Sequence, residues 1–145
     1  MKNIIRQNTF ETNSSSTHAL IFSKQHLQPN EIPIDSDGNL LVTFGKFDHE
    51  ELIESQIGKL AYVLTFMYCK TYFWYDEFED SYEYKDVKKA LCEYTGAKDV
   101  VISKDIEPYL NHQLYNDRCL VNYNNEDEVI NFVFNADIKL LIDHD

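Results

Sequence analysis

The chain alternates between two spacings of its apolar residues, and these spacings predict its secondary structure. Short apolar runs bounded by turn residues predict strands, whereas apolar positions recurring at i, i+3 and i+4 predict amphipathic helices. The predicted strands are 18–23, 40–44, 99–103, 118–123 and 137–142, and the predicted helices are 48–72, 84–94 and 125–134. Because helices and strands are interspersed without regular βα alternation, the sequence predicts an α+β fold with a small mixed or antiparallel sheet packed by about three helices.

Several element ends carry local signals. Asp48 is a candidate N-cap of the first helix, and the acidic residues that follow it suit the positive end of a helix dipole. Gly96 is placed to close the second helix. Strands 18–23 and 40–44 are expected to pair in a hairpin-like way, and 105–117 is expected to be loop with one turn of helix.

Length and composition predict one domain, 1–145, with a real core. The chain has 145 residues, of which 43% are hydrophobic and 14% aromatic. The apolar run 60–68 is too short to span a bilayer, and the first ten residues lack the apolar segment of a secretory signal. The three cysteines are far apart with no CxxC, which favours free thiols in a reducing cytoplasm.

The charge is strongly negative and unevenly distributed. The formal net charge is -12, with -2 in residues 1–75 and -10 in residues 76–145. This sign disfavours direct binding to a nucleic-acid backbone and suits a basic protein partner. Acidity that serves solubility alone is the alternative.

One stretch, 76–86, concentrates that charge and interleaves it with aromatic residues. Its six carboxylates belong to Asp76, Glu77, Glu79, Asp80, Glu83 and Asp86. Carboxylates select a basic partner, and tyrosine and phenylalanine are enriched at interfaces. These six residues are therefore the predicted partner-binding surface, with a solvated helix face or loop as the alternative.

A polar loop is predicted near the start of the chain. The run FETNSSSTH places Asn13, Ser14, Ser15, Ser16 and Thr17 directly before His18. Asn and Ser side chains compete for backbone hydrogen bonds, so the run resists helix and strand pairing. It is either a turn that leads into the next strand or a concave loop of hydroxyl and N–H groups that holds an anion or supports a metal.

The histidines match no local zinc signature, so a metal site requires distant segments to meet. His18 begins a predicted strand, His112 lies in a predicted loop, and Asp143 follows the last strand. If these strand ends share one edge of the sheet, two imidazoles and a carboxylate meet in a ligand set suited to zinc or iron. Unrelated surface histidines are the alternative, and the chain has no GxSxG motif that would indicate a hydrolase.

Several segments together resemble an uncharacterised family of small proteins from bacteria and their phages. The family's opening motif is an arginine followed by a phrase close to FETNSSSSHS. The matching segments here are Arg6, Phe10–His18, Phe44–Phe47, Lys59–Thr65, Tyr94–Ala97, Tyr109–Gln113 and Asn131–Asn135. Lys46 and Asn111 stand where acidic residues are common in the family.

The resemblance implies that the polar loop, together with His112, forms a site rather than a linker. It also implies a phage or prophage origin, and phages carry small acidic inhibitors of host defence, among them anti-CRISPR proteins. The leading hypothesis is a cytoplasmic protein that inhibits a basic host nucleic-acid-binding protein such as a CRISPR effector nuclease, with zinc as a structural staple. The alternative hypothesis is a small metal-dependent hydrolase acting on a phosphorylated or nucleotide substrate.

Overall fold

The computed structural model describes residues 3–7, 27–71 and 75–142. The strands in these ranges are β1 (Asn3–Gln7), β2 (Asn39–Thr43), β3 (Lys46–Phe47), β4 (Glu51–Ile53), β5 (Asp99–Ser103), β6 (Tyr109–Leu110) and β7 (Ile138–Ile142). The helices are α1 (Gln56–Thr71), α2 (Tyr75–Asp80), α3 (Tyr82–Thr95), α4 (His112–Asn116) and α5 (Glu126–Phe134). The α+β class predicted from the sequence is confirmed.

The strands form three small sheets in the described part of the chain. One has the order β1-β7-β4, and the other two are the pairs β2-β5 and β3-β6. Only β4 and β7 run antiparallel, while the other three pairings are parallel. Parallel neighbours need long connections, so each sheet joins segments that are far apart in the chain.

Helix α1 is the centre of the core. It is buried around nearly its whole circumference, as expected for a helix covered on all sides. The side chains with 5% exposure or less from Leu60 onward are Leu60, Ala61, Tyr62, Val63, Leu64, Thr65, Phe66 and Met67. The other elements of the described chain therefore pack around α1 rather than along one face of it.

The start of α1 corrects the sequence prediction. The helix begins at Gln56 rather than at Asp48, and the Ser55 hydroxyl accepts a hydrogen bond from the Gly58 N–H at 3.0 Å. Residues 51–53 are instead a strand that pairs with β7. Their acidic neighbours therefore precede the helix, because pairing with β7 outweighs the local helical spacing.

The ends of the later helices follow their local signals. α3 begins after Ser81, whose hydroxyl accepts from the Tyr84 N–H, and ends at Gly96, which has a φ of 83°. Asn125 caps α5 by accepting from the Glu128 N–H. The predicted helices 84–94 and 125–134 are thus confirmed, as are the strands at 99–103 and 137–142.

The prediction of a strand at 118–123 is wrong, since these residues form none. The predicted turn of helix within 105–117 is present as α4, and the segment also contains β6. β1 had no counterpart among the predicted elements. The predicted strand 18–23 lies outside the described residues, so its pairing with 40–44 stays a prediction. Among the described residues, β2 pairs with β5, and its residue Leu40 forms an isolated bridge with Ile34.

The cysteines agree with the prediction of free thiols, since Cys69, Cys92 and Cys119 are all free. None of the helices in residues 27–71 and 75–142 combines the length and the hydropathy that a bilayer-spanning helix needs.

Candidate functional site

Helix α2 presents four carboxylates to solvent. Its six residues are YDEFED, and Phe78 is fully buried. The four acidic side chains are all exposed, and we call them the α2 acidic cluster: Asp76, Glu77, Glu79 and Asp80. The helix therefore has one apolar contact face and an otherwise anionic surface.

Phe78 fixes the position of this cluster. Among the described residues its ring packs against three aromatic rings, with centroid distances of 5.8 Å to Phe44, 5.7 Å to Tyr68 and 4.7 Å to Tyr84. Tyr68 belongs to α1 and Tyr84 to α3, so α2 is held between two long helices. A buried aromatic ring in such a position contributes several kcal/mol to folding (~3–5 kcal/mol).

The α2 acidic cluster forms no salt bridge within the described chain. None of the salt bridges formed within residues 27–71 and 75–142 includes a member of the cluster. Lysines do pair with acids elsewhere, as in the 2.8 Å contact between Lys88 and Asp99. Four like charges on one six-residue helix repel each other, and a cationic partner would relieve that repulsion.

The predicted six-residue surface divides between two helices. Glu83 and Asp86 lie on α3, where Glu83 is half-buried and Asp86 is exposed. α3 carries three acidic and three basic residues, whereas α2 carries four acidic and none basic. The anionic surface is therefore concentrated on α2, and Tyr82 stands beside it with 72% of its surface exposed.

Three strand ends meet at one edge of the β1-β7-β4 sheet. Gln7 pairs with Ile142 in the parallel β1-β7 register, and Glu51 also pairs with Ile142 in the antiparallel β4-β7 register. The chain therefore leaves β1, leaves β7 and enters β4 at the same edge. His18, Asp143 and the polar loop Asn13–Thr17 lie outside the described residues.

His112 is the member of the predicted metal set whose backbone is described. It is the first residue of α4, which Asn111 caps through its side chain. The Asn111 N–H donates to the Phe47 carbonyl at 2.9 Å, so α4 starts beside the end of β3. Phe47 and Glu51 are four positions apart, so their Cα atoms lie at most about 14 Å from each other, and Glu51 pairs with Ile142.

The connection between β3 and β4, residues 48–50, contains His49, which the predicted metal set did not include. Nδ1 of His49 hydrogen-bonds the neighbouring Asp48 carboxylate. A carboxylate that orients an imidazole is a frequent companion of metal ligands, but this pair is exposed to solvent. No group of three His, Cys, Asp or Glu side chains within the described ranges is arranged to hold a metal ion. The set of His18, His112 and Asp143 stays a prediction.

A buried lysine is the other polar residue that sequence reasoning did not single out. Lys59 is 1% exposed, and its Nζ donates to the carbonyls of Asn135 and Ile138, each at 2.9 Å. Desolvation lowers the pKa of this amine from 10.5 to about 8. These hydrogen bonds connect α1 to the chain reversal between α5 and β7. The position of Lys59 directly before the apolar run 60–68 was the sequence signal that could have predicted its burial.

Comparison with protein-family models, curated proteins and solved structures found no match for this chain.

Proposed function

We propose that this chain is a binding protein for a basic, nucleic-acid-binding host protein, and that the α2 acidic cluster is the surface that recognises it. The main observation behind the proposal is that one short helix exposes four carboxylates, none of which forms an ion pair with a described residue. The exposed Tyr82 beside them supports the proposal, since tyrosine is a frequent anchor at protein interfaces.

The charge distribution supports the same partner class. The second half of the chain carries -10 of the total -12. A groove that binds nucleic acid is lined with lysine and arginine, and an acidic helix can occupy it by competing with phosphate groups. The proposal therefore predicts inhibition by competition, as in anti-CRISPR proteins, with a CRISPR effector nuclease as the specific candidate and a metal as a structural staple.

Neutralising the α2 acidic cluster should weaken partner binding about 100-fold, because four exposed ion pairs of about 0.7 kcal/mol each amount to about 2.8 kcal/mol. The variant is Asp76→Asn, Glu77→Gln, Glu79→Gln and Asp80→Asn in one chain. Wild-type protein immobilised on resin would capture the partner from a bacterial lysate. Calorimetric titration would then compare both chains, and added DNA should displace the wild type from the partner.

The matched control removes four exposed carboxylates elsewhere: Glu31→Gln, Asp37→Asn, Glu50→Gln and Glu107→Gln. Both variants have the same net charge, so a general charge effect would weaken them equally. We expect the control to keep its affinity within about threefold, since distant charges are screened beyond about 8 Å at physiological salt. Equal affinities of the wild type and the α2 variant would refute the proposal.

A small metal-dependent hydrolase is a second candidate function. The observation that favours it is the strand register that brings the ends of β1 and β7 and the start of β4 to one edge. A metal held there by His18, His112 and Asp143, with an open coordination position, would activate water toward a phosphorylated substrate. A fully occupied four-ligand site would instead serve as the structural staple of the binding protein.

Elemental analysis of purified protein tests the metal. We expect stoichiometric metal in the wild type and its loss in both His18→Ala and His112→Ala, because each substitution removes one of three protein ligands. His26→Ala is the matched control and should keep its metal. A metal-free wild type, or equal metal in all four proteins, would rule out the site. Hydrolysis of a chromogenic phosphodiester that disappears in folded His18→Ala would distinguish the enzyme from the staple.

A further inference from the structure

A cavity of about 510 Å³ lies at the carboxyl end of α1. Its walls are Lys70 and the irregular segment 118–124. This volume falls within the range of small-molecule sites, about 300–1,000 Å³. The segment that was predicted to be a strand therefore forms the wall of a ligand-sized cavity.

Hydrogen bonds to α1 and α5 hold the wall segment 118–124 in place. The Leu120 N–H donates to the Tyr62 hydroxyl at 3.2 Å, and the Asn122 N–H donates to the Glu128 carboxylate of α5. Val121 is 1% exposed, which anchors the middle of the segment in the core. The wall of the cavity is therefore fixed by tertiary contacts to α1 and α5.

The cavity is cationic in a chain that is otherwise acidic. Its lining includes Lys70 and Arg118 and no Asp or Glu, although the chain has 25 acidic and 13 basic residues. Cys119 adds no negative charge, because burial raises the pKa of its thiol to about 12. The Glu128 carboxylate, which contacts the wall from α5, accepts a hydrogen bond from the Asn122 N–H.

The ammonium group of Lys70 is fixed at the cavity. Its Nζ donates to the Tyr115 carbonyl and, at 2.7 Å, to the Asp117 carbonyl, and it lies 5.4 Å from the centroid of the Tyr115 ring. An ammonium has three N–H donors, so these two carbonyls leave one donor for a ligand. Arg118 contributes a guanidinium, whose planar fork matches the oxygens of a phosphate group.

We propose that this cavity binds a small phosphorylated organic molecule of the size of a sugar phosphate or a nucleoside monophosphate. Lys70 and Arg118 bind the phosphate, and the amide side chains of Asn122 and Asn124 together with Tyr123 contact the organic part. This site shares no residue with the α2 acidic cluster, and it stands whether or not that cluster binds a basic protein.

Titration with ribose 5-phosphate and with AMP, followed by amide chemical shifts, tests the proposal. At least one of the two probes should bind saturably and shift the amides of residues 118–124. Ribose and adenosine, which lack the phosphate, should bind at least about tenfold more weakly, as expected for the loss of charge-assisted hydrogen bonds. No saturable binding of either phosphorylated probe up to about 10 mM would overturn the proposal.

Two variants separate this site from general charge attraction. Arg118→Gln should weaken binding of the phosphorylated probe about tenfold or more, while Lys89→Gln should change it less than twofold. Lys89 is exposed on α3 and does not line the cavity. Each of the two variants removes one positive charge, so they change the net charge equally. Lys70→Gln provides a second test if Arg118→Gln does not fold. Equal weakening by Arg118→Gln and Lys89→Gln would also overturn the proposal.

Discussion

Replacing Phe78 with alanine is expected to lower the free energy of unfolding by about 3–5 kcal/mol, the usual cost of removing a fully buried phenyl ring. Phe78 is 0% exposed and packs against Phe44, Tyr68 and Tyr84. Its loss leaves a cavity beside these rings, and closing it requires α1 or α3 to move because Tyr68 and Tyr84 belong to those helices. Urea denaturation of the wild type and of Phe78→Ala measures the effect.

Phe78→Ala should also weaken partner binding even though it leaves the α2 acidic cluster chemically intact. A six-residue helix is unstable alone, so its carboxylates keep a fixed arrangement only while tertiary packing holds it. Phe78→Leu is the matched control, because it retains an apolar side chain and should cost less than Phe78→Ala in both measurements. Full affinity in a folded Phe78→Ala protein would show that binding does not depend on the packed position of α2.

The local parts of the fold were predictable because their causes lie within a few residues. Gly96 ends α3 in a left-handed conformation that favours glycine, and Asn125 caps α5. The strands at 99–103 and 137–142 are short apolar runs next to such helix ends. In each case the signal and the element occupy the same stretch of chain.

The start of α1 and the strand pairings were not predictable in this way. Residues 51–53 carry a helical spacing, but they pair with β7, which lies about 90 residues further along the chain. β1 likewise becomes a strand through its parallel register with β7. These outcomes depend on which sheet edge is available, and a local pattern contains no information about that.

The candidate surface was predictable in position but not in extent. The acidic run 76–86 was visible as composition, whereas its division at Ser81 depends on a helix cap. That division places four exposed carboxylates on α2 and leaves Glu83 and Asp86 among the lysines of α3. The cationic cavity had no sequence signal, because Lys70 and residues 118–124 meet only in the folded chain.

The stability of the wild type relative to Lys59→Met is expected to rise with pH by about 2–3 kcal/mol between pH 7 and pH 10. Burial lowers the pKa of the Lys59 amine from 10.5 to about 8 in the folded protein. Below pH 8 the folded state holds a desolvated ammonium, and this cost is fully present. Between pH 8 and pH 10.5 the unfolded state binds more protons than the folded state, so raising the pH favours folding.

Deprotonation keeps the contacts that Lys59 makes. A neutral amine still has two N–H groups, which suffice for the carbonyls of Asn135 and Ile138. Methionine has a similar length and no charge, so comparing the two proteins by urea denaturation at each pH cancels the titration of the other groups. If the difference in unfolding free energy between wild type and Lys59→Met stays constant from pH 7 to pH 10, the Lys59 amine keeps its ordinary pKa in the fold. A difference that falls with pH would instead mean that the two carbonyls and the Phe132 ring, whose centroid lies 5.7 Å from Nζ, stabilise the ammonium more than burial destabilises it.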